Sequence, residues 1–297
     1  ECRSHIGKEW DLVIIDLRLN PEKEDIDSEM IPPTEFSGYK LIDEFLNENE
    51  GYQIVVSTAS NKIWNINAAL DRGASSFYIK ESPEFNYSVN ETYNQYENFK
   101  NDVLKCFERT YLYIICEYNS QVKGHFSTNP LKKYFSNNLE QLKAISYQNL
   151  IAEELNSSFN TLKTRNTNRF NIAMLSIFKI FECLSEIFIE NDDYSVKMNF
   201  WDGDEVMFCE YVSQNYNLKK KDNTVPERAY KSTENKIHAL LFQKLEFPDF
   251  SVHQVVHKIT RYRNDYIHPD NRFNLDELTP ADIENWFLNL SKILKKT

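Results

Sequence analysis

The sequence predicts an α/β domain built on a doubly wound parallel sheet, followed by an all-α helical bundle. Three observations carry the prediction. Short Val- and Ile-rich runs alternate with amphipathic helical spacing through the first 90 residues. Beyond them the strand pattern stops and apolar residues recur at helical spacing. The charge divides at the same place: residues 1–90 hold 17 acidic and 8 basic side chains (−9), and the remaining 28 acidic and 26 basic give −2, summing to the chain's −11.

DLVIIDL (11–17) and YQIVVSTA (52–59) are continuous apolar runs of strand length, the pattern of strands buried on both faces of a parallel sheet, and SFYIK (76–80) is a third. Between them GYKLIDEFLNENE (38–50) and NKIWNINAALDRG (61–73) have helical spacing, the second ending on a Gly at the C′ position. SPEFNYSVN, with a Pro among small polar residues, marks a boundary at 83–90. Residues 91–122 then read as one long helix, followed by helical segments near 129–145, 148–165 and 168–190. Residues 191–206 and 217–232 read as polar loops or insertions, and three helices close the chain near 233–246, 251–267 and 280–295. The expected partition is 1–84 for the α/β domain, 85–166 for a helical connector and 167–297 for the bundle.

A chain of 297 residues is long enough for two domains with cores of their own. No stretch approaches the roughly 18–20 uninterrupted apolar residues of a membrane span. The five Cys show no paired spacing, and the expectation is a reduced, cytoplasmic, soluble protein. ECRSHIGKEW (1–10) has neither a Met start nor an apolar leader run and reads as the interior of a longer chain. The acidic balance argues against constitutive nucleic-acid binding, and the basic patch NLKKKDN (217–223) is more simply a solvated loop.

Asp16, Thr58 and Lys80 fall at the carboxyl ends of the three predicted strands, where open parallel sheets bind ligands. A carboxylate, a hydroxyl and an ammonium converging there suit phosphoryl chemistry: the carboxylate as nucleophile, the other two binding phosphoryl oxygens. Each taken singly is an ordinary strand-end residue. On these residues WDLVIIDLRL, VVSTAS and GASSFYIK resemble the central and C-terminal half of a response-regulator receiver domain, over about residues 8–83. The resemblance implies that Asp16 is the phospho-acceptor, that the Arg18 backbone carbonyl and Asp16 bind Mg²⁺, that Thr58 and Phe77 are the switch hydroxyl and aromatic, and that Lys80 binds phosphate. It also implies a cognate histidine kinase. Receivers complete the Mg²⁺ site with an acidic pair on a first strand some forty residues earlier, for which this chain has too few residues. Either that half of the domain lies outside this sequence or the receiver is degenerate and cannot bind metal; metal binding is expected only in an intact receiver. NPEKEDIDSEMIPPTEFS (20–37) is longer and more acidic than the family's usual connection, and reads as a solvated insertion beside the site.

In SVHQVVHKITRYRNDYIHP (251–269), Val255, Val256, Ile259, Tyr262, Tyr266 and Ile267 are at helical spacing, and Pro269 places His268 at the helix end. A His there is favoured in its charged form, which suits a group that must gain and lose protons, while Arg263 is always charged and can fork onto a phosphate. With the helices at 168–190, 233–246 and 280–295, RNDYIH (263–268) resembles a HEPN domain, whose members often carry R-x(4–6)-H with a polar residue after the Arg. The resemblance implies a catalytic set of Arg263, Asn264 and His268. It further implies a metal-independent endoribonuclease that makes cyclic phosphate ends, a homodimer paired through the bundle, an RNA substrate, and a role in stress response or phage defence.

Two other patterns are set aside. HQVVH (253–257) spaces two His as in zinc proteases, but Gln254 stands where the general base belongs and no third ligand is evident. The 17 Tyr and 20 Phe fall mostly on apolar helix faces, as core packing requires. The reading is a two-component-type effector whose receiver regulates a ribonuclease. The alternative is a non-catalytic adaptor in which the bundle dimerises or binds a partner; a DNA-binding protein is disfavoured by the lack of a convincing helix-turn-helix.

Overall fold

The computed structural model describes residues 2–19, 36–59, 63–80, 89–135, 137–188, 196–197, 206–212, 215–220, 233–243, 245, 250–267 and 278–297. The chain forms two compact units, Glu1–Glu117 and Tyr118–Thr297. The first holds a small parallel sheet with helices, and the second is mainly helical. Among the described residues no helix is long and apolar enough to cross a membrane.

In the first unit β1 (Val13–Ile15), β2 (Ile54–Thr58) and β3 (Ser76–Ile79) form a sheet in that order. Both pairings are parallel, Val13 opposite Ile54 and Thr58 opposite Ile79. The central strand is buried almost throughout, as its unbroken apolar run predicts. β1 departs from the expectation of burial on both faces: it is paired on one side only among the described residues, and Ile14 is 54% exposed. α1 (Ser37–Glu48) and α2 (Ile63–Asp71) connect the strands. Ile15, Leu17, Tyr39, Ile42, Phe45, Tyr52, Ile54 and Val56 form the core.

Two glycines fix this connectivity. Gly73 (φ +101°) ends α2 in a Schellman arrangement: its N–H donates to the Leu70 carbonyl, and the Ala74 N–H donates to that of Ala69. At Gly38 the start of α1 lies so close to the end of β1 that a Cβ would collide with the Asp16 carbonyl oxygen and the Leu17 backbone.

The predicted helix over 91–122 is two helices, α3 (Val89–Phe107) and α4 (Tyr111–Phe126). Residues 108–110 tighten into turns in which the Thr110 hydroxyl donates to the Phe107 carbonyl. A tertiary contact favours the break: Asn49 Nδ2 donates to the Tyr113 carbonyl, and Gly51 lies against the Leu112 backbone. α3 packs on β3 through a Tyr78–Phe99 ring contact (4.6 Å) and a Ser76–Asp102 hydrogen bond (2.5 Å). It therefore belongs to the α/β unit, whose boundary falls inside α4 rather than at 83–90.

In the second unit the segments expected at 129–145 and 148–165 are a short 3-10 turn, Pro130–Tyr134, and one continuous helix, α5 (Asn138–Lys163). The Asn137 side chain caps α5 by accepting the Glu140 N–H. α6 (Arg169–Phe188) packs against α5, α7 (Thr233–Gln243), α8 (Phe250–Ile267) and α9 (Pro280–Lys296). α9 begins with a capping box between Thr279 and Asp282 and with Pro at its first position. Ile177, Phe181, Leu240, Val256, Ile259 and Trp286 are among the buried side chains.

The unit is not all-α as expected. β4 (Val196–Lys197), β5 (Val206–Val212) and β6 (Asn215–Lys220) form an antiparallel sheet in which Met207 pairs with Lys220 and Val212 with Asn215. β4 and β5 pack against α7. The loops expected at 191–206 and 217–232 are thus partly strand: 196–197 and 206 lie in β4 and β5, and 217–220 of the basic patch lie in β6. VMFCEYV has the β-branched and aromatic content of a strand.

Candidate functional site

The parallel register brings the carboxyl ends of the three strands side by side; the Asp16 and Lys80 side chains meet there, while Thr58 meets Lys80 through its backbone. The Lys80 N–H donates to the Thr58 carbonyl (2.7 Å), extending the ladder one residue beyond β3. From there the Lys80 ammonium reaches Asp16, with Nζ 2.6 Å from Oδ2. The other carboxylate oxygen accepts the Arg18 N–H at 3.3 Å. Asp16 and Lys80 side chains are 36% and 42% exposed, so solvent and reagents reach the pair. Thr58 is buried, and Phe77 is partly buried against the core.

A cavity of about 300 Å³ runs along β1 to Asp16, lined in part by His5, Trp10, Ile14, Leu19 and Phe45. The arrangement offers an accessible carboxylate nucleophile with an ammonium beside it to neutralise incoming phosphoryl oxygens. Mg²⁺ takes about six oxygen ligands, several of them waters when one or two carboxylates hold it, so Asp16 and the Arg18 carbonyl are the candidate protein ligands. No group of three or more His, Cys, Asp or Glu able to hold a metal occurs among the described residues. The acidic insertion 20–35 lies outside them.

On α8 two of the three expected ribonuclease residues, neighbours in sequence, are in contact. Arg263 Nη1 donates to Asn264 Oδ1 at 3.1 Å, and the guanidinium lies over the Phe178 ring of α6 with Cζ 4.9 Å from its centroid. Arg263 is half-buried and Asn264 exposed. His268 lies outside the described residues. Of the apolar stripe, Val255, Val256, Ile259 and Tyr262 are buried, but Ile267 is 44% exposed at the helix end. Asp265, which sequence reasoning passed over, is buried inside the motif.

The two His of HQVVH both face α7. His253 stacks on His238 with Nδ1 atoms 2.8 Å apart, and His257 Nδ1 lies 2.6 Å from Glu234 Oε1. His238 Nε2 is 3.5 Å from the same oxygen. Burial holds the His238 imidazole below its ordinary value, against the opposing pull of Glu234. Burial would raise the Glu234 carboxyl, but the hydrogen bond from His257 and the nearby His238 outweigh it and hold it at about 2. The available clue was a pair of i,i+4 spacings, Glu234–His238 and His253–His257, which could be joined only by packing the two helices.

The chain matches no family model, no curated protein and no solved structure.

Proposed function

We propose that the protein is a two-component-type signalling effector: a receiver-like unit, phosphorylated at Asp16 or bound by a partner there, regulates a metal-independent endoribonuclease in the helical unit. The observation that carries the regulatory half is the Asp16–Lys80 contact at the carboxyl edge of a parallel sheet, 2.6 Å long and open to solvent. The Arg263–Asn264 contact on a bundle helix supports the ribonuclease half. In this reading neutral His268 takes the proton from a ribose 2′-hydroxyl as its oxygen attacks the adjacent phosphorus. Arg263 stabilises the charge on the phosphoryl oxygens, and the bond to the 5′-oxygen breaks as that oxygen gains a proton. Two copies pair through the bundle, RNA is the substrate, a histidine kinase supplies the phosphoryl group, and the setting is cytoplasmic. The resemblance to HEPN proteins extends the proposal to stress response or phage defence.

One observation favours a non-catalytic adaptor. The Arg263 guanidinium is engaged by Phe178 and Asn264 and so contributes to packing. The deciding experiment is RNA cleavage by the purified protein in EDTA, beside Arg263→Ala and His268→Ala. The expected result is cyclic phosphate ends from the wild type and a loss on the order of 100-fold or more in each variant. Absence of cleavage, with and without phosphorylation of Asp16, would leave the adaptor as the function.

A further inference from the structure

The His–Glu cluster between α7 and α8 takes no part in the proposed phosphoryl or RNA chemistry. It nevertheless puts four ionisable side chains into one interface, two of them at 1% exposure or less: His238 at 1% and His253 at 0%. Burying such groups is costly unless every polar atom finds a partner, so their proton inventory is tightly constrained.

That inventory can be worked out from the contacts. A 2.8 Å approach of two imidazole Nδ1 atoms is a hydrogen bond only when one of them carries a proton and the other a lone pair. Glu234 Oε1 accepts from His257 Nδ1, while His238 Nε2, 3.5 Å from the same oxygen, makes no hydrogen bond to it. Within the buried pair one ring donates from Nδ1 and the other accepts at Nδ1, an arrangement that two neutral imidazoles satisfy. Adding a proton to the accepting Nδ1 would set two N–H groups against each other at 2.8 Å and leave a charge in the interface.

Among the described residues, the ionisable groups acting on the His238 ring are Glu234 on its own helix and His257 on α8. Elsewhere on these two helices, Lys258 and Arg261 are exposed, Lys258 is paired with Asp282 of α9, and Lys236 is half-buried. α6, packed on both helices, buries Met174, Ile177, Phe181 and Leu184, while its Lys179 and Glu186 are exposed and Glu182 is half-buried. β4 and β5, also packed on α7, include Lys197 and Glu210.

We propose that the α7–α8 contact is a proton-operated latch, closed when His238 and His253 are both neutral and opened when the pair takes up a proton, freeing α8, the helix that bears Arg263 and Asn264. The inference does not rest on the ribonuclease reading. The direction of the His238 shift fits it: an imidazole whose folded value lies below the ordinary 6.5 binds protons better when released. Its contribution to closure is therefore complete above that value and is lost as pH falls beneath it. Glu234, held at about 2 against an ordinary 4.5, adds a loss confined to stronger acid.

The test is amide hydrogen exchange on the full chain between pH 7.5 and 5.5, corrected for intrinsic exchange. Protection over 233–243 and 250–267 is expected to fall by up to about tenfold per pH unit, the limit for one proton, while α5 changes less. A His238→Leu/His253→Leu variant should show a flat response. Unchanged protection of the two helices in the wild type, or an undiminished response in a folded variant, would overturn the latch. If the variant does not fold, imidazole nitrogen shifts of the wild type decide. Two neutral rings at pH 7.5, one of them with its proton on Nδ1, and a proton gained by the pair in acid support the latch. A charged ring at pH 7.5, or a pair that stays neutral throughout the range, sinks it.

Discussion

Asp16 and Lys80 form the shortest link across the strand ends, and yet the pair has little part in holding the fold. Each side chain is more than a third exposed, and an ion pair so placed is worth about 0–1 kcal/mol. Lys80→Ala should therefore lower the melting temperature by no more than a few degrees in calorimetry. If the reading of the site is right, the same change sharply reduces uptake of a phosphoryl group at Asp16 from a small donor, measured by intact-mass spectrometry. A large loss of stability with unaltered uptake would make Lys80 a structural residue. Gly38 is the opposite case. Any side chain there must displace the backbone that positions Asp16, so Gly38→Ala is expected to cost about 1–3 kcal/mol in denaturant unfolding.

The strands and helices differ in how much of them their own residues disclose. β2 and α2 were legible because each obeys a local rule: an unbroken apolar run for a strand covered on both sides, and a C′ glycine for a helix end. The break between α3 and α4 was not, because it involves Asn49 and Gly51, some sixty residues away. β5 and β6 were hidden by polar neighbours, although four of the seven residues of β5 are Val, Phe or Tyr. α8 was placed correctly by its apolar spacing, yet the partners of its two His come from α7 and could not be read from α8 alone. The meeting of Asp16 and Lys80 was readable for a related reason. Here the three parallel strands are neighbours in chain order, so their carboxyl ends lie side by side.

The molecule as a whole separates a chemically simple α/β unit from a helical unit whose buried face contains ionisable groups. Its charge is concentrated on the first: −9 of the −11 falls within residues 1–90. That concentration takes on a second meaning beside β1, which among the described residues has an unpaired flank and an outward Ile14. Such an edge is a template for another strand, and mutual repulsion between like-charged units keeps two of them from meeting. Near pH 5.2, where the sequence's charge vanishes, that barrier falls away. Light scattering should then rise with protein concentration, and Ile14→Lys should suppress it. The acidic surface would thus act as a colloidal safeguard for an adhesive strand edge.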